Sequence, residues 1–520
     1  MTLSTLDMTI FVIYILGLLF VAYWVSREEQ GHQKDTNEYF LAGNSLPWWA
    51  IGASLIAANI SAEQIIGMSG SGYAIGLGIA SYEWMAALTL MLVGKYFLPI
   101  FLKRKIYTMP QFLQQRFDNR VRTTLAMFWL AVYVFVNLTA VLWLGALAVN
   151  ALTGIDLFWS MALLALFSVS YSLYGGLKAV AFTDILQVVL LVFGGLFMSY
   201  LALEMIGQGQ GILAGFSTLL EKAPEKFDMI LSPENPHYVS LPGLSVLIGG
   251  MWIMNLSYWG FNQYIIQRAL AAKSLAEAQK GIAFAAFLKL LMPLIVVLPG
   301  IAAVLILPDL AKPDQAYPQL MALMPSGLKG LIFAALVAAI LSSLASMTNS
   351  VATLFTMDLY AQVKPNQSQQ HYVLVGRVAS LTALVIALFT AKPLLGDFDQ
   401  AFQYIQEFTG FFTPGIVVLF FLGMFWRRTT ANGALAAAVG SAVFSGLFYW
   451  FWPELPFMDR VGLVFLLCLG LAVLASLLTP TKVHAGSVDL ADIDFSTSKG
   501  FNASMVLVVL ILVLFYSVWW

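Results

Sequence analysis

Residues 57–64 read Ala57-Ala58-Asn59-Ile60-Ser61-Ala62-Glu63-Gln64, a polar interruption inside a long apolar stretch. Trp48-Trp49-Ala50-Ile51 lead into it and Ile65-Ile66-Gly67-Met68 follow. Two amides, a hydroxyl and a carboxylate lie within six residues. At bilayer depth such groups are costly, and they persist where they face protein, water, an ion or a ligand. The stretch therefore predicts a membrane-spanning helix interrupted at Asn59, with a working site at the break.

Working outward, composition gives the same solvent. Hydrophobic residues make up 60% of the 520 and charged residues 10%, against about 25% charged in a soluble domain. Mean hydropathy is +0.83. The one cysteine, Cys468, sits in an apolar run, which excludes a disulfide framework or a cysteine-rich metal site. Segment 8–25 lacks a basic flank and a small-residue cleavage site, so it reads as a retained span.

The expected fold is an all-α polytopic membrane protein of fourteen helices. They fall near 8–25, 48–68, 77–101, 121–152, 157–174, 178–206 and 242–267, then 276–307, 326–362, 371–393, 400–425, 430–452, 459–480 and 500–519. Gly175-Gly176 is expected to be a tight turn between two of them. The polar segment 207–241, with Pro224, Pro233 and Pro236, reads as a structured external loop.

Lysine and arginine set the orientation. With the N-terminus outside, inward loops hold eighteen basic residues and outward loops six. Fourteen spans then leave both termini external. The second to sixth and seventh to eleventh spans form two sets of five. An odd-numbered unit in tandem must lie inverted in its second copy, and such repeats bind solutes through interrupted helices. The counterpart of the helix broken at Asn59 is 242–267, which carries Gly249, Gly250, Asn255, Ser257 and Gly260. The expected organisation is 1–47 as an extra helix and loop, 48–206 as the first repeat, 207–241 as the loop, 242–425 as the second repeat and 426–520 as three closing helices.

Charges inside the spans are few: Glu63, Glu83, Lys95, Asp184, Lys289 and Glu407. Lys95 and Asp184 fall near cytoplasmic ends, where snorkelling or hydration is a sufficient account. Glu83 and Lys289 lie deeper and call for an ion pair, structural or shared with a polar ligand. Gln64, Asn255 and Gln406 place amides on three spans, with Tyr258 three residues beyond Asn255. Amides that donate and accept, beside an aromatic ring, suit a polyhydroxylated solute; they equally suit interhelical contacts. Ala338–Ser346 (AAILSSLAS) is a run of small residues. It permits close helix approach, or supplies hydroxyls for a hard cation beside carbonyls freed at the break. The histidines His32, His237, His371 and His484 all fall in loops. No phosphate-binding glycine loop or nucleophile–base set appears, so an enzyme is not expected. Topology explains the basic loops without nucleic acid.

Six stretches carry a resemblance: Ser54–Tyr73 (SLIAANISAEQIIGMSGSGY), Ile79–Met85 (IASYEWM), Tyr174–Gln187 (YGGLKAVAFTDILQ), Tyr258–Arg268 (YWGFNQYIIQR), Ala338–Asn349 (AAILSSLASMTN) and Gln400–Gly410 (QAFQYIQEFTG). In this order they resemble the sodium/solute symporter family, and most of all its bacterial, galactose-transporting members. The resemblance implies a LeuT-like core of two inverted five-helix repeats. It implies sugar contacts from Gln64, Glu83, Asn255, Tyr258, Lys289 and Gln406, with Asn59 and Asn137 supporting. Tyr258 would stack on the sugar from the cytoplasmic side, while Met68, Tyr82 and Phe402 would cover it from outside. Sodium would lie between the carbonyls of Ala57, Ile60 and Ala339 and the hydroxyls of Ser342 and Ser343, with Asp184 on its inward exit. Glu63 receives no role. Ala86 and Ser257 depart from the galactose pattern, which has a serine and a tyrosine there.

The expected function is inward symport of a neutral sugar, galactose or glucose, by alternating access in a bacterial-type inner membrane. Sodium is the coupling ion, no organic cofactor is expected, and the partners are sugar, sodium and the lipid bilayer, with a homodimer as a further expectation. The alternatives are another solute such as myo-inositol, sialic acid or proline, and a membrane sugar sensor that moves nothing.

Overall fold

The computed structural model describes residues 3–26, 36–396, 401–480 and 486–520. In hydrocarbon a backbone must satisfy its own hydrogen bonds, and helices do so within one segment. Among the described residues ten helices are long and apolar enough to cross a membrane. The first is Thr5–Val25 and the last Lys499–Val518. Two further pairs qualify as bent spans: Trp48–Asn59 with Glu63–Ala74, at 58°, and Ala401–Gly410 with Thr413–Phe425, at 48°. The count by length and composition is thus ten, or twelve with the bent pairs.

The other two expected spans take different forms. The turn expected at Gly175-Gly176 is corrected: one helix, Leu157–Ile206, runs through 50 residues without a break. No proline or capping residue stops it there, and glycine alone weakens a helix by only about 1 kcal/mol. The segment near 242–267 is more fragmented than one span. It consists of Leu244–Ile248, Gly250–Leu256, a π-helical turn Ser257–Phe261 and Gln263–Leu270. Its helix breaks at Gly249 (φ −129°, ψ −116°) and at Asn262 (ψ 125°). Both helices expected to be interrupted therefore are.

The loop after residue 206 is structured as expected, with a helix Ile212–Lys222. Its Lys226 donates 2.7 Å to the Ala74 carbonyl, at the end of the second half-helix. Gly76 there has φ +103°, and a Cβ would meet the Lys226 carbonyl oxygen at 2.4 Å, so only glycine fits. The final helix braces the one carrying Tyr82 and Glu83. Phe515 stacks on Trp84 at 4.5 Å, the Tyr516 hydroxyl bonds the Ser81 hydroxyl at 2.8 Å, and the Trp519 carbonyl accepts from Met229 N.

Candidate functional site

The helix Trp48–Asn59 ends because Ile60 leaves helical geometry (φ −73°, ψ 81°). Ser61 N then bonds Asn59 O at 2.8 Å, where a continuing helix would bond Ala57 O. The chain resumes as a π-helical turn, Glu63–Gly67. Similar turns hold Asn137 (Tyr133–Leu138) and Tyr258 (Ser257–Phe261). Such turns disturb the regular ladder and recur at functional sites.

These turns converge on one cavity. Lys289 donates to Glu83 Oε2 and to Asn59 Oδ1. Gln64 Nε2 donates to Glu83 Oε1 at 3.0 Å, and Asn59 Nδ2 to the Tyr258 hydroxyl at 3.0 Å. The Tyr258 hydroxyl also shares a hydrogen bond with that of Tyr264, and the Lys289 ammonium lies 4.9 Å above the Trp259 ring. The expected Glu83–Lys289 pair is thus present, buried and hydrogen-bonded on both sides. Breaking such a pair by removing one partner costs about 3–5 kcal/mol.

Gln64, Glu83, Asn255, Tyr258 and Gln406 all line the cavity, as do Asn59, Asn137, Tyr82 and Phe402. Lys289 joins them through its ion pair. Tyr82 and Phe402 meet edge to face at 5.2 Å. Met68 is the exception: it is buried outside the cavity wall, because the π-helical turn aims Glu63 and Gln64 inward instead. The cavity encloses about 50 Å³, room for a few waters when one needs about 10–15 Å³.

Among the described residues, five buried polar atoms on this wall have no partner: Gln64 Oε1, the Tyr82 hydroxyl, Trp129 Nε1, Asn137 Oδ1 and the Thr409 hydroxyl. Each such atom costs about 1–3 kcal/mol if left dry. Together they offer acceptors and donors to a ligand that has both. Trp129, Trp259, Asn262, Thr409 and Thr413 are the polar and aromatic wall residues missed from sequence, with Met254 and Ile405 beside them. Trp129 follows the apolar run Leu125–Phe128 and Thr409 lies three residues past Gln406, and only the fold turns both inward. Glu63 also lines the cavity, and among the described residues no hydrogen bond or ion pair engages its carboxylate. The wall therefore carries two carboxylates and one ammonium.

One turn away lies a second polar cluster. The Ser342 hydroxyl donates to Asp184 Oδ1, the Ser54 hydroxyl to Asp184 Oδ2 at 2.5 Å, and the Ser343 hydroxyl to Ala58 O at 3.2 Å. Ala57, Ile60 and Ala339 are fully buried beside these groups in sequence. Asp184 is also fully buried, which corrects its reading as a hydrated helix end. Arg268 lies against it, with Nη2 at 3.8 Å from Asp184 Oδ2. Among the described residues no group of three His, Cys, Asp or Glu is placed to hold a metal. The oxygen-rich donors here, hydroxyls and carbonyls around one carboxylate, match a hard monovalent cation in kind.

The sequence profile of the sodium:solute symporter family matches residues 39–440. The chain belongs to that family. The symporter is 51% identical to a sodium/glucose cotransporter of Vibrio parahaemolyticus, over all of this chain and 99% of that one. It is 34% identical to sodium/myo-inositol cotransporter 2 of Mus musculus, over 83% of this chain and 68% of that one. Among solved structures it is similar to a Na+-coupled sialic acid symporter in a substrate-bound outward-open state. The TM-score there is 0.80, covering 92% of this chain and all of the other at 23% identity. A nucleobase-cation-symport-1 family transporter gives a TM-score of 0.54 at 15% identity, over 90% of this chain and 97% of the other. These two likenesses establish the fold alone. The symporter is a multi-pass, sodium-coupled transporter and not an enzyme.

Proposed function

We propose that the symporter carries a neutral sugar into the cell with sodium, galactose or glucose being the leading candidates. The cluster of unpartnered donors and acceptors around the Glu83–Lys289 pair carries this reading. A sugar edge presents hydroxyls that both donate and accept, and the five orphaned atoms need that mixture. In this reading Gln64, Glu83, Asn255, Lys289 and Gln406 hold the ring hydroxyls, with Asn59 and Asn137 supporting. Tyr258 flanks the sugar toward the cytoplasm, and Tyr82 and Phe402 cover it outside, while Met68 lies off the cavity wall. Ala86 offers no hydroxyl, so discrimination between sugar epimers rests on the other contacts.

Sodium, as the co-transported ion, is assigned to the carbonyls of Ala57, Ile60 and Ala339 with the hydroxyls of Ser342 and Ser343, and Asp184 stands on its inward route. The ion would bind best where the interrupted helix and the helix Leu328–Thr353 are together, and so would favour that arrangement. Coupling needs this preference, since equal affinity for both states shifts nothing. One charge crossing 100 mV supplies about 2.3 kcal/mol, and a tenfold sodium gradient about 1.4 kcal/mol. One ion per sugar therefore supports accumulation of roughly several hundredfold.

The associated architecture is two inverted repeats, at 48–206 and 242–425; fourteen spans with both termini outside would need a break within Leu157–Ile206, which runs as one helix. The interruptions near Asn59 and at Gly249 and Asn262 support it. Myo-inositol is the competing solute, because the same donors fit a cyclic polyol and relatives named for it are 34% identical. Uptake of labelled galactose, glucose and myo-inositol into proteoliposomes, with and without a sodium gradient, tests all of this. Binding without gradient-driven accumulation would overturn symport and favour a sensor.

A further inference from the structure

Arg268 is a fully buried arginine at the inner end of the second interrupted helix, and it reaches four elements. Its Nε donates to Ser54 O at 3.2 Å and to Ser54 Oγ at 2.9 Å, on the first interrupted helix. Nη1 donates to the Tyr264 carbonyl on its own helix, and Nη2 to Ser346 Oγ on Leu328–Thr353. Nη2 also stands 3.8 Å from Asp184 Oδ2 on Leu157–Ile206. A guanidinium is always charged and its donors form a rigid fork. It can therefore join these elements only when all of them are close together.

A polar seam continues along Gln263–Leu270, against Leu328–Thr353 and the segments that carry Phe40 and Tyr107. The Ser350 hydroxyl donates 3.2 Å to Gln267 Oε1, and Gln267 Nε2 reaches the Phe40 carbonyl at 2.6 Å. Gln263 Nε2 reaches the Tyr107 carbonyl at 3.2 Å. Two buried amides nearby in sequence have neither N nor O partnered among the described residues: Gln187, three residues past Asp184, and Asn349, three past Ser346. Buried amides that lack every partner are rare in folded proteins. Water entering an opened seam would satisfy them.

We propose that Arg268 is the bolt on the cytoplasmic side of the sodium pathway: it closes the seam by charge and by its ties to three other helices, and its withdrawal lets the ion leave. This rests on the sodium position proposed above. With the guanidinium in place, an ion passing Asp184 meets a like charge beside the same carboxylate. With it withdrawn, the serines, Gln267 and Asn349 line a route of oxygens. Arg268 is thus a positioning residue that sets coupling, and it does not touch the sugar.

The test uses the whole chain in proteoliposomes, with Arg268→Gln, Arg268→Lys and Ser346→Ala. Readouts are sugar-free 22Na+ efflux, the sodium-to-sugar flux ratio, and sugar equilibrium exchange as the measure of a folded carrier. A fourth readout is labelling of Ser350→Cys, in a Cys468→Ser background, by an impermeant maleimide from the cytoplasmic side. Arg268→Gln should raise sugar-free sodium efflux about tenfold, as expected when charged hydrogen bonds are lost. It should also expose position 350 to label in sodium while keeping exchange, and Arg268→Lys should fall between. Wild-type efflux, ratio and labelling with exchange intact would overturn the proposal. If Arg268→Gln loses exchange altogether, Ser346→Ala decides: raised efflux supports the bolt and wild-type efflux overturns it. Ser343→Ala run in parallel separates the two readings. If it keeps wild-type sodium dependence, the ion position is wrong and the bolt with it. If it loses that dependence while Arg268→Gln stays tight, only the bolt is wrong.

Discussion

Asn59 Nδ2 donates a 3.0 Å hydrogen bond to the hydroxyl of Tyr258, joining the break of one interrupted helix to the π-helical turn of another. The same Asn59 accepts from Lys289 through its Oδ1. One residue at the break thus connects the buried ion pair to the aromatic ring that flanks the cavity. Any movement of the two half-helices must be felt at both.

The ion pair gives the first prediction. Lys289→Met should leave Glu83 charged and unpaired, lowering stability by about 3–5 kcal/mol. Glu83→Met added to it should recover most of that loss, because a well-packed apolar pair replaces a buried ionic one at little cost. Sugar uptake should be lost in both. Thermal unfolding in detergent with uptake measured beside it separates the two effects; recovered uptake in the double variant would contradict a sugar-binding role.

Sodium dependence distinguishes two serines on one helix. Ser343→Ala should raise the half-saturating sodium concentration about tenfold or more, the scale expected for losing an oxygen that contacts a charge. Ser350→Ala should raise it far less, since its hydroxyl is bonded to Gln267. Equal behaviour of the two would remove the sodium assignment.

Trp129 and Thr409 supply two of the unpartnered atoms on the cavity wall. Trp129→Phe and Thr409→Val keep most of the shape and remove the polar atom. Each should raise KM for the transported sugar about three- to tenfold, as for one lost hydrogen bond, with kcat little changed. Uptake kinetics on galactose and glucose give the result, and an unchanged KM in both would place the sugar elsewhere.

Gly300 marks a close helix approach between Leu298–Ile306 and Met68–Ala74. An added Cβ would lie 2.0 Å from the Ser69 carbonyl oxygen. Gly300→Ala should therefore destabilise by about 1–3 kcal/mol through overpacking. Gly470→Ala, inside a helix and with nothing within 4 Å of its Cβ, should be neutral or stabilising by up to about 1 kcal/mol. Thermal melting of the two purified variants checks the contrast.

Much of the site was legible because bilayer physics leaves few reasons for a polar residue inside a span. Asn59, Gln64, Glu83, Lys289, Asn255 and Gln406 stood out from apolar surroundings and now meet in or beside one cavity. Tyr258, three residues beyond Asn255, arrived with it. Trp129 and Thr409 gave no such signal, since a tryptophan or threonine in a span is ordinary. Asp184 was misread for a related reason: proximity to a span's end says nothing about the arginine that packs against it. Gly175-Gly176 was misread because a glycine pair is only a weak helix breaker.

The sequence by itself determined the solvent, the helical class, the break at Asn59 and most of the polar residues that the break serves. These follow from transfer costs that act on each residue separately. Only the tertiary structure decided which groups pair: Lys289 with Glu83 and Asn59, Asp184 with Ser54, Ser342 and Arg268, and Glu63 facing the cavity with no side-chain partner among the described residues. Pairing depends on the aim of each side chain, and π-helical turns and bends re-aim side chains in ways that spacing along the chain does not encode.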